Sequence, residues 1–482
     1  MSFIKKSSVY FISNIIASGV TIGSLPILTR HLSPSDYGVF VLFITFGQVC
    51  TGFLSLGLST ASYKYFFDYK EKIEDYKILN TTNIVMNFII FIFFGFIVYF
   101  LSPWISSYFF DGEINIDLIN LSYLCGCITY YNYYFFQLYI AQGKANYFSV
   151  FTILQSIIKL TLVLFFIYLF SFKYMALIYG FLISNLLILL GLVIFSKNLI
   201  TNKFSIDYFI QSVKLSYPQI PTMIIGLLYS SFDRVMLNKM GGLHSVGQYS
   251  FGARFGSLIK VVNDSFANVF GPFFQSRNSE NDINDANDII DRFLFIAYSI
   301  TLISISLILF AEEIVRLFTT PAYYPSMFVI PIYIFYHLFG ILGILATNQL
   351  LKAEKLISEI PTAVISLSIN ILLNLVLIPI YGIIGAAIAT AVSALINNLT
   401  LLYFGFKANP IRNFKPLKLI NIYFIAIIFT GISYSLMAID ILWFNKILIK
   451  LSIISSIIFV FYKLDYLNRS KINHLFQLIR KY

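Results

Sequence analysis

Residues 374–390 read N-L-V-L-I-P-I-Y-G-I-I-G-A-A-I-A-T, two apolar segments joined by Pro379, Ile380, Tyr381 and Gly382. Proline disfavours helix in the residue before it, and glycine reaches backbone angles closed to other residues. The tetrapeptide therefore predicts that Pro379 ends one helix and that Gly382 reverses the chain at once. The second arm opens with Gly385, Ala386, Ala387 and Ala389. Such small residues let two helix backbones approach closely in lipid, where no hydrophobic drive brings helices together. The expected product is a tight helical hairpin inside a membrane.

Composition agrees with that setting. Of the 482 residues, 58% are hydrophobic and 11% charged, and the mean hydropathy is +0.81. Soluble domains carry roughly 25% charged residues, so the chain reads as a polytopic membrane protein. About fourteen apolar segments of roughly 18–25 residues are long enough to cross a hydrocarbon core of about 30 Å at about 1.5 Å per residue. They lie near 8–29, 37–62, 82–101, 117–141, 148–170, 176–195, 218–238, 246–271, 291–311, 329–351, 360–379, 383–405, 419–439 and 447–463. The longest connection, near 196–217, is far shorter than the roughly 50 residues of a small domain. That excludes a soluble catalytic domain, and the absence of a G-x-x-x-x-G-K-[ST] phosphate loop argues against ATP hydrolysis in this chain.

Lysine and arginine set the expected orientation. With both termini in the cytoplasm, roughly 23 of the 33 Lys and Arg fall on that side and roughly 5 opposite, as the positive-inside bias requires. The net charge of +11 is then topological bias plus attraction to anionic headgroups, not a nucleic-acid footprint. The first span lacks an A-x-A-like cleavage site and reads as a retained helix. Cys50, Cys125 and Cys127 all lie inside spans, and Cys125-Gly126-Cys127 has neither zinc nor redox spacing.

Two stretches answer each other. Residues 28–38, from Leu28 through Arg30 to Gly38, align without gaps on 237–247, from Leu237 through Lys239 to Gly247. Each carries a basic residue, a turn, and a glycine opening the next span. Gln142-Gly143-Lys144 before span five matches Ala353-Glu354-Lys355 before span eleven at nearly the same offset. The pattern predicts a parallel repeat of six spans, with substrate at the interface between halves. The expected division is a first six-helix lobe at 1–195, a cytoplasmic linker at 196–217, a second lobe at 218–405, and spans thirteen and fourteen with a basic tail at 406–482. In span fourteen, Lys450 lies near an end, where it can snorkel to the interface. The tail from Lys463 to Tyr482 reads as a short amphipathic helix for the anionic inner surface.

The 374–390 hairpin, T-R-H-L-S-P-S-D-Y-G from Thr29, L-G-L-S-T-A from Leu56 and F-D-R-V-M-L from Phe232 together resemble the multidrug/oligosaccharidyl-lipid/polysaccharide exporter superfamily. The likeness is greatest to its polysaccharide-transport branch, the Wzx-type flippases. The resemblance implies an all-α membrane protein with two six-helix repeats plus two further helices. It also implies a function: alternating-access movement of polyprenyl-diphosphate-linked oligosaccharide across the cytoplasmic membrane, for O-antigen, capsule or other exopolysaccharide. Membrane lipids, a polymerase and export machinery would be the partners. A lipid II flippase and a drug/cation antiporter of the same superfamily are the rival readings. A membrane polymerase or glycosyltransferase would want a large outer loop or a catalytic acidic pair, and Asp111, Glu113 and Asp117 read instead as a solvated turn.

Charges within spans are costly to insert and so face a bundle interior or water. Lys159 lies about 18 Å into span five with no acidic residue in that span. Arg254, Lys260 and Asp264 lie in span eight, the last two placed to pair with each other. Lys159, Arg254, Lys260 and, by family resemblance, Arg30 form the expected cationic set for an anionic headgroup. Asp233, on a stripe with Thr222, Gly226 and Tyr229, and Asp264 are the candidates for Na+ or H+ coupling; no other cofactor is implied. Asp233 and Arg234 point about 100° apart on a helix and so should not share a partner. Gln48, Thr51, Ser55, Ser59 and Ser62 in span two form a polar stripe open to either packing or cavity, as do Asn14, Ser18 and Thr21 in span one. Tyrosines such as Tyr130, Tyr131, Tyr133 and Tyr134 suit packing better than sugar stacking.

Overall fold

The computed structural model describes residues 3–463 except 70, 111, 113, 218–219, 278–281, 415–416 and 440–441. The described residues are 90% helical and contain no strand. Eight stretches among them are long and apolar enough to cross a membrane. The chain divides into two compact units, Met1–Gly247 and Gln248–Tyr482.

The first unit holds α1 (Phe3–Gly23), α2 (Leu25–His31), α3 (Pro34–Leu54), α4 (Leu58–Asp68), α5 (Ile73–Phe109), α6 (Ile116–Ala141), α7 (Ala145–Phe170), α8 (Tyr174–Phe195), α9 (Ile206–Ser216) and most of α10 (Ile220–Gly256). Ser33 and Asp36 start α3 through a reciprocal capping box, with Pro34 in the first turn, where its missing N–H costs nothing. The sequence at 56–61 explains itself in three dimensions. Leu56 (φ 48°) and Gly57 (φ 66°) take consecutive left-handed angles and split span two into α3 and α4. The freed Leu56 carbonyl accepts from Ser216 Oγ at 2.7 Å. Where α3 crosses α6, a methyl on Gly126 would strike the Gly47 carbonyl, so glycine sets that approach.

Residues 196–217 are not a bare linker, because α9 docks on α4 and α5. Asn83 Nδ2, fully buried, donates to Ser62 Oγ at 3.1 Å and Ser212 Oγ at 2.9 Å, and Tyr65 Oη donates to the Gln211 carbonyl. Burial first, and Asp75 second, hold the Tyr208 hydroxyl above its ordinary pKa, so it stays protonated at neutral pH. The two stretches aligned above meet within this unit. A methyl on Gly38 would strike the Leu243 carbonyl, and one on Gly247 the Pro34 carbonyl. Pro34 aligns with Leu243 and Gly38 with Gly247, so the contact is reciprocal, as a two-fold relation requires.

The second unit holds the rest of α10, α11 (Leu258–Gln275), α12 (Ile283–Leu309), α13 (Ala311–Phe318), α14 (Val329–Lys352), α15 (Glu359–Ala408), α16 (Leu417–Ala438) and α17 (Trp443–Lys463). The hairpin is α15. Ser366 Oγ donates across it to the Ser393 carbonyl at 2.9 Å, Asn370 Nδ2 reaches Ser393 Oγ at 3.2 Å, and a methyl on Gly385 would strike the Leu377 carbonyl. Pro379 does not end the first arm: α15 runs through it and breaks only at Gly382 (φ 54°, ψ −129°). In the last turn before a break, a proline forfeits a single helical hydrogen bond, which is tolerated.

Lys450 does not snorkel. It is fully buried, with Nζ 2.7 Å from both oxygens of Glu313, while Lys446 lies 3.5 Å from Glu312 and Arg316 3.0 Å from Glu312. About one turn of α17 separates two lysines four residues apart, Lys446 and Lys450, and α13 offers adjacent carboxylates to match. The tail expected to lie on the inner surface falls, from residue 464 onward, outside the described residues.

Candidate functional site

Each expected site residue is best taken within its own unit. Lys159 is half-buried on α7, and its ammonium sits over two rings, Phe181 of α8 at 5.1 Å and Phe40 of α3 at 5.6 Å from the centroids. Those rings meet edge to face at 6.0 Å. The aromatic faces present negative potential to the cation, and one of them, Phe181, also lines a small cleft. Phe43, Gln48, Ser122, Cys125, Thr129 and Phe181 are among the residues lining that cleft. The cleft exists because α3 and α6 are pinned by the Gly47–Gly126 crossing and by Ser122 Oγ donating to the Phe43 carbonyl.

In the same unit Arg30 is exposed at the end of α2. His31 beside it packs edge-on to Tyr168 at 5.1 Å. Asp233 is 2% exposed, in keeping with an inward-facing stripe. It accepts from the Arg234 backbone N–H at 2.7 Å, and Arg234 Nη1 approaches it at 3.7 Å, so the two neighbours do share an interaction. The arginine side chain is long enough to fold back along its own helix, where Nη1 also donates to the Ser230 carbonyl.

In the second unit Arg254 is half-buried on α10, whereas Lys260 and Asp264 are exposed on α11. The anticipated Lys260–Asp264 pair does not form: neither is within ion-pair distance of the other among the described residues. The span-two stripe resolves into packing along most of its length. Thr51, Ser55, Ser59 and Ser62 are buried, and Ser62 Oγ meets Tyr134 Oη at 2.6 Å, while Gln48 alone lines the cleft. Tyr130 and Tyr134 are buried packing residues, and Tyr133 is 51% exposed.

The residues that sequence reasoning missed are the carboxylates at 312 and 313. Their signal was present, since Lys446 and Lys450 are one helical turn apart on an otherwise apolar helix and call for matching acids. Among the described residues the buried carboxylates are Asp233, Glu312 and Glu313, and each lies within ion-pair distance of a cation. No group of three or more His, Cys, Asp or Glu among the described residues is placed to hold a metal.

Solved structures share this architecture. A lipid II flippase, MurJ, in an inward closed conformation superposes with a TM-score of 0.72 at 19% identity, covering 95% of this chain and 99% of the other. A multidrug resistance transporter of the MATE family, inward-facing, gives 0.63 at 15% identity over 83% of this chain and 94% of its own. A transporter of the same superfamily from Pyrococcus furiosus, described as having a binding pocket of reverse polarity, gives 0.58 at 16% over 84% and 95%. At these identities the likeness is one of fold. No curated protein sequence matches the chain. The sequence pattern of the family described as polysaccharide biosynthesis protein matches residues 3–277, more than half of the chain, and the protein belongs to that family.

Proposed function

We propose that this protein is a flippase that carries polyprenyl-diphosphate-linked oligosaccharide repeat units across the cytoplasmic membrane by alternating access. Its fourteen apolar spans would all cross the bilayer, with both termini in the cytoplasm. The diphosphate and sugar head needs a hydrated, cationic path, while the polyprenyl tail stays in lipid. Lys159, Arg254, Arg30 and Lys260 are the cations for that path. Asp264 and, less accessibly, Asp233 are the candidates for Na+ or H+ coupling.

One observation favours this reading over drug/cation antiport: the buried carboxylates among the described residues are already matched by cations. An antiporter of cationic drugs needs buried carboxylate left over for its substrate. The lipid II alternative shares the headgroup chemistry and differs in the sugar. Depleting the protein and analysing the lipid-linked saccharides that accumulate on the inner leaflet tests the assignment. A polyprenyl-diphosphate repeat unit is the expected product. Accumulated lipid II would move the function to that precursor, and no accumulation would refute flipping. Neutralising Lys159 or Arg254 to Gln should lower transport per folded molecule while Lys159→Arg retains more, and full specific activity in both neutral variants would refute the cationic path.

A further inference from the structure

Helix α5 carries a stripe of residues four apart, Phe96, Phe100, Trp104 and Tyr108, which are 63, 76, 54 and 55% exposed. Each step rises about 6 Å along the helix. The stripe is purely apolar as far as Phe100 and amphipathic from Trp104 onward. That change marks the passage from hydrocarbon into the interfacial layer, which is about 5–7 Å thick on each side. Trp104 and Tyr108 stack with centroids 5.1 Å apart and planes 5° from parallel.

A cation comes to this stack from another helix. Lys239 is exposed at the end of the first arm of α10, three residues before the chain breaks at Gly242. Its ammonium lies 4.3 Å above the Tyr108 ring centroid. An interfacial aromatic belt would account for the two rings alone; it does not call for a lysine delivered onto them. The ring face holds the ammonium by charge and quadrupole without consuming all three of its N–H donors. A phosphate at headgroup depth is the group those donors fit. The aligned end of α2 carries a cation too, Arg30, followed by His31, whose ring meets the exposed Tyr168.

We propose that Trp104, Tyr108 and Lys239 form a binding site for the phosphate headgroup of an anionic bilayer phospholipid. The lysine would take the phosphate, with the aromatic pair against the glycerol backbone. The site rests on α5 crossing the bilayer and is independent of which saccharide is carried.

The test uses the full chain in detergent with Trp443→Phe, which leaves Trp104 as the single tryptophan of the two. Dihexanoyl phosphatidylglycerol is titrated while Trp104 emission is followed, beside dihexanoylglycerol and inorganic phosphate as separate probes. A saturable change with the phospholipid is expected, weakened about tenfold by Lys239→Gln, as for loss of a charged hydrogen bond, and recovered by Lys239→Arg. An equal response to dihexanoylglycerol, or no effect of Lys239→Gln, would reduce the site to an aromatic anchor. Saturation by inorganic phosphate at similar concentration would make it a free-phosphate site and overturn the lipid assignment. Should Lys239→Gln fail to fold, selectivity between the two hexanoyl compounds in the lysine-bearing chain decides the matter alone.

Discussion

Replacing Lys450 with methionine tests how α17 is held to the rest of its unit. Lys450 is fully buried, and its partner Glu313 is 8% exposed. The carboxylate accepts from Nζ at 2.7 Å through both oxygens and has no other hydrogen-bond or ion-pair partner among the described residues. Methionine fills the space of the lysine stem but leaves Glu313 charged and unmatched. Breaking a buried pair from one side in this way costs about 3–5 kcal/mol, a hundredfold or more in the folded ratio at about 1.4 kcal/mol per factor of ten. Removing both charges with Lys450→Met and Glu313→Gln should recover most of that loss, because no unpaired charge remains. The coupling energy of the cycle is then about 2 kcal/mol or more.

Unfolding in detergent, followed by the emission of Trp443 at the start of α17, reads the loss where it occurs. Purely additive losses, or a single-variant loss below about 1 kcal/mol as for an exposed pair, would show that the cluster is solvated and that apolar packing alone holds α17.

Gly385→Leu should lower abundance and transport together, since even a methyl there meets the Leu377 carbonyl and overpacking costs about 1–3 kcal/mol; normal levels of both would mean the arms separate freely. Asn83→Leu should loosen α9 by about 1–3 kcal/mol, the cost of orphaning buried partners, and speed proteolysis between residues 197 and 205. Unchanged cleavage would place the anchor elsewhere. In a chain with its native cysteines replaced, Lys173→Cys should react with an impermeant thiol reagent added to sealed cells and Lys144→Cys should not. The reverse pattern would invert the proposed orientation.

The parts of this fold that could be read from the sequence are those set by one residue's own stereochemistry. Gly382 announces the α15 reversal because φ 54° with ψ −129° is a conformation other residues pay heavily to adopt. Gly57 takes a left-handed φ of 66° as well, but without a neighbouring proline it gives no such warning, and span two reads in the sequence as one helix. Pro379 misled because its effect depends on how many helical turns follow it. A proline in the middle of an arm would have kinked it; one in the last turn is absorbed. The alignment of 28–38 on 237–247 has a related physical basis: Gly38 and Gly247 are glycines because backbone lies against each of them, and the aligned positions contact one another's neighbours.

Charge was harder to read, since the meaning of a buried ion lies in its partner. Lys450 near the end of an apolar span satisfies every local rule for snorkelling, and only the fold brings Glu313, 137 residues away, to its Nζ. Asp233 and Arg234 interact with each other rather than through a shared partner. The 100° divergence keeps them from facing one third group, yet the guanidinium reaches back to its own helix and to the Asp233 carboxylate. Lys159 falls between these cases: its place in an apolar span was legible, but its setting, over Phe181 and Phe40, joins three helices that no local pattern connects. The distinction matters for mechanism. A cation held by aromatic faces keeps its full charge for an anionic headgroup, whereas one locked to a carboxylate, as Lys450 is to Glu313, has spent it on structure. On the proposed function, Lys159→Gln should therefore cost transport per folded molecule, whereas Lys450→Met should cost stability.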